Sequence, residues 1–339
     1  MQTMISGAPK EARWLRAQPR RDVPAPLVER IVHTAFPRSR VLRIQPLADG
    51  LRNANFKLQL DSPPNPIVLR IYEHDASICQ KEVDLIRLVA RSVPVPEVIH
   101  AEPRGVDDIP PFALMRFVEG ISFRELTHSD DSDAIAHAAR SAGEALAAIG
   151  RTTFPKSGWL TQGPAVGTPL LDGADPVPRF VDLCLALANL QRRMPADLRK
   201  RTHASIWSHS PNLGSLDDDA CLVHGDFGKR NLLVRNVEGK CTVVAVLDWE
   251  FAVSGSPLAD LGHFLRYERI SRPLVEPHFS KGYLFAAGKL PQNWRQLARL
   301  VDLAALCESL THDDLPDAVV AELIELIRAT VENRDPQFA

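Results

Sequence analysis

The hydrophobic pattern of this chain changes period once, just after Glu119-Gly120, and that change limits what it can fold into. Ahead of it, apolar residues alternate in short runs, as half-buried strands require. Beyond it, they recur every three or four residues through long alanine- and leucine-rich stretches. Strands are expected over 41–47, 55–60, 67–72, 98–101 and 112–118, with Phe56, Leu58 and Leu60 on one face. Pro63, Pro64 and Pro66 make 61–66 a tight connection, because proline cannot donate to a sheet ladder. One helix carrying Glu82, Val83, Ile86, Leu88 and Val89 interrupts the strands and stops before Val93-Pro94-Val95-Pro96. A short amphipathic helix over 27–36 precedes them. Past the change, helices are expected over 132–149, 178–194, 257–269, 293–308 and 315–332, broken by one strand-rich island over 221–248. The plan is α+β: an irregular arm over 1–24, a small antiparallel-sheet N-lobe with one helix over 25–118, and a large, mainly helical C-lobe over 119–339. A cleft between two lobes is where small ligands usually sit.

Charge and cysteine usage exclude several classes of partner. A formal net charge of −2 gives no global field for nucleic acid or an anionic membrane, so neither is expected as a partner. No apolar run approaches a membrane span. The first twenty residues lack a secretory apolar core. Arg13, Arg16, Arg20 and Arg21, with few acids nearby, weakly match a transit peptide; the reading adopted is an arginine-rich arm. Cys79, Cys184, Cys221, Cys241 and Cys307 are odd in number and form no C-x-x-C pair. That disfavours a disulfide framework or a zinc site and fits a reducing, cytoplasmic setting.

The island carries the chemistry. It reads Cys221-Leu222-Val223-His224-Gly225-Asp226-Phe227-Gly228-Lys229-Arg230-Asn231-Leu232-Leu233-Val234, an apolar run into a polar loop and an apolar run out. After a turn at Glu238-Gly239-Lys240, a further strand delivers Asp248-Trp249-Glu250. Asp226, Asn231 and Asp248 are therefore expected at the mouths of adjacent short strands. Phosphoryl transfer asks little covalent help of a protein. It needs a carboxylate to orient the attacking hydroxyl and oxygen ligands to hold magnesium against the phosphates. Each residue alone has an ordinary reading: a turn cap, a turn closer, a strand end. Three in this order and spacing favour the chemical reading.

The pattern H-G-D-x-x-x-x-N, then an apolar residue and D-W-E, then a later aspartate, resembles the aminoglycoside phosphotransferase and choline kinase superfamily, small-molecule kinases with a protein-kinase-like two-lobe fold. The resemblance spans roughly 41–270. It implies Asp226 as catalytic base, Asn231 and Asp248 as magnesium ligands, and His224 as support for the loop 224–231. Asp260 matches an aspartate that braces the catalytic loop, and helix-dipole stabilisation is the competing reading. Ser256 and Pro257 suit the start of its helix. In the N-lobe, Gly50-Leu51-Arg52-Asn53-Ala54-Asn55-Phe56 is similar to the family's phosphate-facing loop, which implies that Gly50, Asn53 and Asn55 approach the nucleotide. Arg70 stands where most members carry lysine, and a planar fork replaces a point charge there. Glu82 matches its helix partner. Residues 111–120 match the hinge, where backbone groups from Met115 to Phe117 meet the adenine.

The resemblance thus implies Mg²⁺ with ATP or GTP, and a hydroxyl-bearing small molecule as acceptor. Lys229 reads equally as a γ-phosphate contact or a surface lysine. The acids Asp217, Asp218, Asp219, Glu308, Asp313, Asp314 and Asp317 read as solvated or helix-start residues rather than a cation site, and Trp159 and Trp207 as packing residues. Two rivals are an inactive nucleotide-binding pseudokinase, favoured by Arg70 alone, and a choline-, ethanolamine- or thiamine-type metabolic kinase. A protein kinase is disfavoured, because G-x-G-x-x-G, D-F-G and A-P-E are all missing from the sequence.

Overall fold

The computed structural model describes residues 23–47, 53–73, 76–170, 175–216, 219–270, 275–287 and 290–333. Gly50, Asp217, Asp218 and the arginine-rich arm over 1–22 lie outside these residues.

In the N-lobe, α1 (Ala25–Ala35) precedes β1 (Val41–Pro46), β2 (Ala54–Leu60) and β3 (Ile67–Ile71). Then come α2 (Ala76–Val89), β4 (Val98–Glu102) and β5 (Phe112–Arg116). The strands form one antiparallel sheet in the order β1-β2-β3-β5-β4. β2 alternates strictly between buried and half-buried residues. Its Ala54, Phe56, Leu58 and Leu60 pack with Ile67, Leu69 and Ile71. The helix expected over 27–36 is α1, and the one carrying Glu82 is α2. α1 closes the outer face of the sheet with Val28, Ile31 and Val32, all fully buried, each contributing about 1.5–3 kcal/mol. α2 covers the other face with Cys79, Val83, Leu85, Ile86 and Val89.

The C-lobe opens with β6 (Ile121–Ser122), α3 (Phe123–Leu126), α4 (Ser132–Gly150) and β7 (Gly158–Trp159). The helices α5 (Pro176–Ala186), α6 (Ala188–Arg193), α7 (Ala196–Ser208) and α8 (Ser210–Leu213) follow. The island contains β8 (Cys221–Val223), β9 (Leu232–Val237) and β10 (Lys240–Val246), with β11 (Val253–Gly255) just beyond. α9 (Leu258–Phe264), α10 (His278–Ala287), α11 (Trp294–Ser309) and α12 (Asp317–Val331) complete the chain. Two three-stranded sheets frame the loop 224–231: β10-β9-β6 and β7-β11-β8. Glu238 and Gly239 join β9 to β10 with φ of 52° and 84°, the paired left-handed geometry of a two-residue hairpin.

Three helix expectations are corrected. The helix expected over 178–194 is two, because Leu187 is extended (φ −72°, ψ 138°). There α6 swings toward the end of α11, where Asn189 donates to the Thr311 carbonyl and Arg193 to that of Leu310. The helix expected over 257–269 stops at Phe264 and continues as a 3-10 turn over Arg266–Arg269. It begins at Leu258, with Pro257 rather than Ser256 at the N-cap position, although the Ser256 hydroxyl still accepts from the Leu258 N–H at 3.4 Å. The helices α7 and α10 were not expected. α7 buries only Leu198, Thr202 and Ile206 among charged residues, and Gly282 in α10 reads locally as a breaker. Gly282 instead lets α10 approach α4: a Cβ there would lie 2.0 Å from the Arg140 carbonyl oxygen.

Candidate active site

The chain leaves β8 into His224, which is fully buried. Its Nε2 donates to the Leu247 carbonyl (3.0 Å) and its Nδ1 accepts from the Asp226 N–H (3.2 Å), which assigns the Nε2–H tautomer. The ring packs on Trp249, with centroids 4.7 Å apart. Gly225 follows with φ 81°, and a Cβ there would lie 2.3 Å from the Phe251 carbonyl oxygen. Left-handed backbone and close approach both demand glycine. Asp260 holds this start of the loop, accepting from the His224 N–H (2.6 Å) and the Gly225 N–H (2.9 Å). Burial pushes the Asp260 carboxyl above its usual range despite those two bonds. It is thus a brace of the loop, the first of the two readings its place in the sequence allowed.

Asp226 is half-buried at the cleft. Asn231 Nδ2 donates to its Oδ2 (2.8 Å) and to its carbonyl (2.9 Å). His263 Nε2 lies 3.1 Å from its Oδ1. Burial pushes this carboxyl up. The His263 hydrogen bond, the electrostatic pull of the His263 and His224 rings and the Asn231 hydrogen bond outweigh burial, and the group is held below the usual carboxylate range. With Nδ2 committed, Asn231 turns its Oδ1 the other way. The Leu247 N–H donates to the Asn231 carbonyl (2.8 Å), which brings Asp248 beside the loop. Asp248 has φ 68°, a left-handed conformation uncommon outside glycine but tolerated by aspartate. One carboxylate and one amide oxygen, both hard donors, suit magnesium.

Arg70 joins the lobes. From β3 its Nε lies 3.0 Å from Glu82 Oε2, and its Nη2 lies 2.6 Å from Asp248 Oδ1 and 3.7 Å from Glu250 Oε2. The expected Arg70–Glu82 pair is therefore present. Burial alone lowers the guanidinium pKa, but the charges of Glu82 and Asp248 overcome it and the group stays protonated. Glu82, pushed up by burial and down by Arg70, ends above its usual range. It also accepts from the Tyr72 hydroxyl (2.5 Å) and the Trp249 N–H (3.2 Å). Asn53 is buried and donates to Glu250 Oε2 (3.0 Å), and Lys81 Nζ donates to the Glu250 carbonyl (2.9 Å). Asn55 sits in β2 opposite Arg70.

At the hinge, Met115 is buried in β5, between β3 and β4. The Arg116 N–H is spent on the Glu97 carbonyl and the Phe117 N–H on that of Pro66. Those two N–H groups are therefore not free to face a base. Lys229 is not the surface lysine of one reading: it is buried, with Nζ 4.0 Å from Glu268 Oε1. Trp207 packs between helices and donates to Asp182 (2.8 Å), while Trp159 is 48% exposed. Asp313 accepts from Asn189, Glu308 faces His312, and Asp317 opens α12, so these acids are spent locally.

The family model for the phosphotransferase enzyme family (APH) matches residues 43–300, most of the chain and every residue of this site. The chain belongs to that family.

Among solved structures, this phosphotransferase-family chain is similar to a thermostable mutant of aminoglycoside phosphotransferase APH(4)-Ia in ternary complex with AMP-PNP and hygromycin B. The TM-score is 0.65 and the identity 19%, over 91% of this chain and 99% of that one. It is also similar to the GDP complex of a mutant aminoglycoside 2'-phosphotransferase-IIIa, with TM-score 0.67 and 17% identity over 93% and 100%. At these identities the likeness establishes the kinase-like fold. Among curated proteins, it is 50% identical over 52 residues to Acyl-CoA dehydrogenase family member 11 of Rattus norvegicus and 47% identical over 53 residues to that of Homo sapiens. The rat match spans 15% of this chain and 6% of that protein.

Several residues gathered here carry no sequence signal of their own. Glu250 was read only as part of D-W-E, yet it takes Asn53 and faces Arg70. Lys81 was hidden beside Glu82. His263 lies three residues after Asp260, on the same helix face, a spacing that makes it visible in retrospect.

Proposed function

We propose that this chain transfers the γ-phosphoryl group of a magnesium-bound nucleoside triphosphate, ATP or GTP, to a hydroxyl of a small molecule. The observation that carries the proposal is the convergence of Asp226, Asn231 and Asp248 around one loop, with Arg70 and Glu82 facing them from the N-lobe. Asp226, held ionised, accepts the hydrogen bond of the acceptor hydroxyl and orients its oxygen for in-line attack. Asn231 Oδ1 and the Asp248 carboxylate would hold the metal. When bound, the ion neutralises the β- and γ-phosphate oxygens. Arg70, held in place by its ion pairs with Glu82 and Asp248, offers its remaining Nη1 donors to phosphate oxygens. Asn53 and Asn55 belong to the nucleotide side, and the hinge after Met115 and Phe117 meets the base. Residues 25–118 then act as the nucleotide side and 119–339 as the acceptor side, in a cytoplasmic enzyme.

An ADP-release screen tests this with aminoglycosides, macrolides, fructosamines, choline, ethanolamine, thiamine and sugars. Release above the Asp226→Ala background is expected with at least one acceptor. None with any acceptor refutes the reading.

A second acceptor class rests on one observation. A stretch of 52 residues is 50% identical to an acyl-CoA dehydrogenase family protein, whereas the 19% for the aminoglycoside enzyme is taken over 91% of this chain. Hydroxyacyl-CoA thioesters therefore belong in the same screen, and turnover confined to them selects that class.

A further inference from the structure

A chain of polar contacts runs from the candidate base into the C-lobe core. His263 Nε2 faces Asp226 Oδ1 at 3.1 Å, and its Nδ1 lies 3.2 Å from Arg266 Nη2. Arg266 in turn grips Asp302 of α11, with Nε at 3.0 and 3.1 Å from its two oxygens and Nη2 at 2.6 Å. Arg266 and Asp302 are buried, at 9% and 2% exposure.

The donor inventory fixes the direction of every bond. A guanidinium only donates, so Nδ1 of His263 must present its lone pair, and the single ring proton sits on Nε2, pointing at Asp226. A doubly protonated ring would set an Nδ1–H against the Arg266 N–H. The imidazole is thus a fixed donor and not a proton carrier. The packing around it is tight: a Cβ on Gly228 would come within 3.2 Å of His263 Nε2, and a Cβ on Gly262 within 2.2 Å of the Ala298 carbonyl oxygen. The missing side chain at Gly262 lets α9 and α11 approach closely enough for Asp302 to reach Arg266.

We propose that His263 is a positioning residue for the catalytic carboxylate. Held as the Nε2–H tautomer by the Arg266–Asp302 pair, it donates to Asp226 Oδ1 while Asn231 donates to Oδ2, and the two bonds fix which lone pair meets the acceptor hydroxyl. The proposal rests on the phosphotransferase reading for its consequence and on geometry alone for the tautomer.

Two measurements on the full chain test it separately. Long-range proton–nitrogen correlation spectra of histidine-labelled protein, assigned by the signal lost in His263→Leu, are expected to show His263 as the Nε2–H tautomer. An Nδ1–H or doubly protonated ring overturns the proposal, whether or not any acceptor is turned over. In the charge-balanced double variant Arg266→Met with Asp302→Leu, this tautomer is expected to give way to a mixture; an unchanged single tautomer removes Arg266 as the lock. The second measurement is ADP release from Mg-ATP, with water as the acceptor. His263→Leu is expected to lower kcat about 10²-fold, the scale of a misplaced reacting group, with KM for Mg-ATP unchanged. His263→Gln, whose amide can donate to Asp226 and accept from Arg266, recovers most of that loss. Equal kcat in wild type and His263→Leu, or a loss confined to KM, overturns the positioning role. No ADP release from wild type counts against the phosphotransferase reading instead.

Discussion

Asp226 is a carboxylate with donors on both oxygens, and its variants should separate chemistry from binding. Asp226→Asn keeps the shape of the group but loses the anion. It is expected to lower kcat by about 10²–10⁴-fold. Mg-ATP affinity by calorimetry should change little, because Asp248, Asn231 and Arg70 remain. The pH dependence follows from the direction of its shift. The folded pKa lies below the usual carboxylate value, so Asp226 stays ionised throughout the ordinary carboxylate range and protonates only beneath it. The acid limb of a kcat profile should therefore fall below the usual aspartate range; a limb near neutrality would assign the base elsewhere. Gly225 is equally exacting. Gly225→Ala meets both a left-handed backbone and the Phe251 carbonyl, and transfer should be lost even where the protein remains folded.

The helices show where sequence reading succeeds and where it fails. In the N-lobe sheet β2 was legible because it has one buried face, and a period of two survives in Phe56, Leu58 and Leu60; β5 was legible as a short, continuous apolar run. The loop 224–231 was legible because its residue types are demanded by chemistry rather than by packing. α7 and α10 were not: one buries a narrow stripe, and the other carries a glycine whose meaning depends on a partner helix far away in sequence. The same held for Arg266 and Asp302, a pair no local pattern announces. The contact of α4 with α10 makes this testable. Gly143 and Gly282 each lie where a Cβ would fall within 2.1 Å of a carbonyl oxygen on the opposite helix. Gly143→Ala and Gly282→Ala are each expected to cost about 1–3 kcal/mol by denaturant unfolding. Together they should cost less than the sum, since one separation of the helices relieves both clashes.

Across the whole molecule, the two lobes are clasped through a few buried polar groups. Arg70, Glu82, Asn53 and Lys81 all reach the segment Asp248–Glu250. Calorimetric unfolding of the wild type should therefore show one transition. Arg70→Met combined with Glu82→Leu removes the ion pairs of the clasp while Asn53 and Lys81 still reach Glu250, and two transitions are expected, the N-lobe melting first. The partners of Asp226, Asn231 and Asp248 come from β3, the loop itself and α9, and α11 stands behind α9. Among the described residues, the helices over 176–213 supply none of them. A lineage can thus redraft those helices, one insertion or exchange at a time, without disturbing the phosphate-handling parts. New specificities can arise there by inheritance of a working engine, and a graft of residues 176–213 from a relative is the laboratory version of that history.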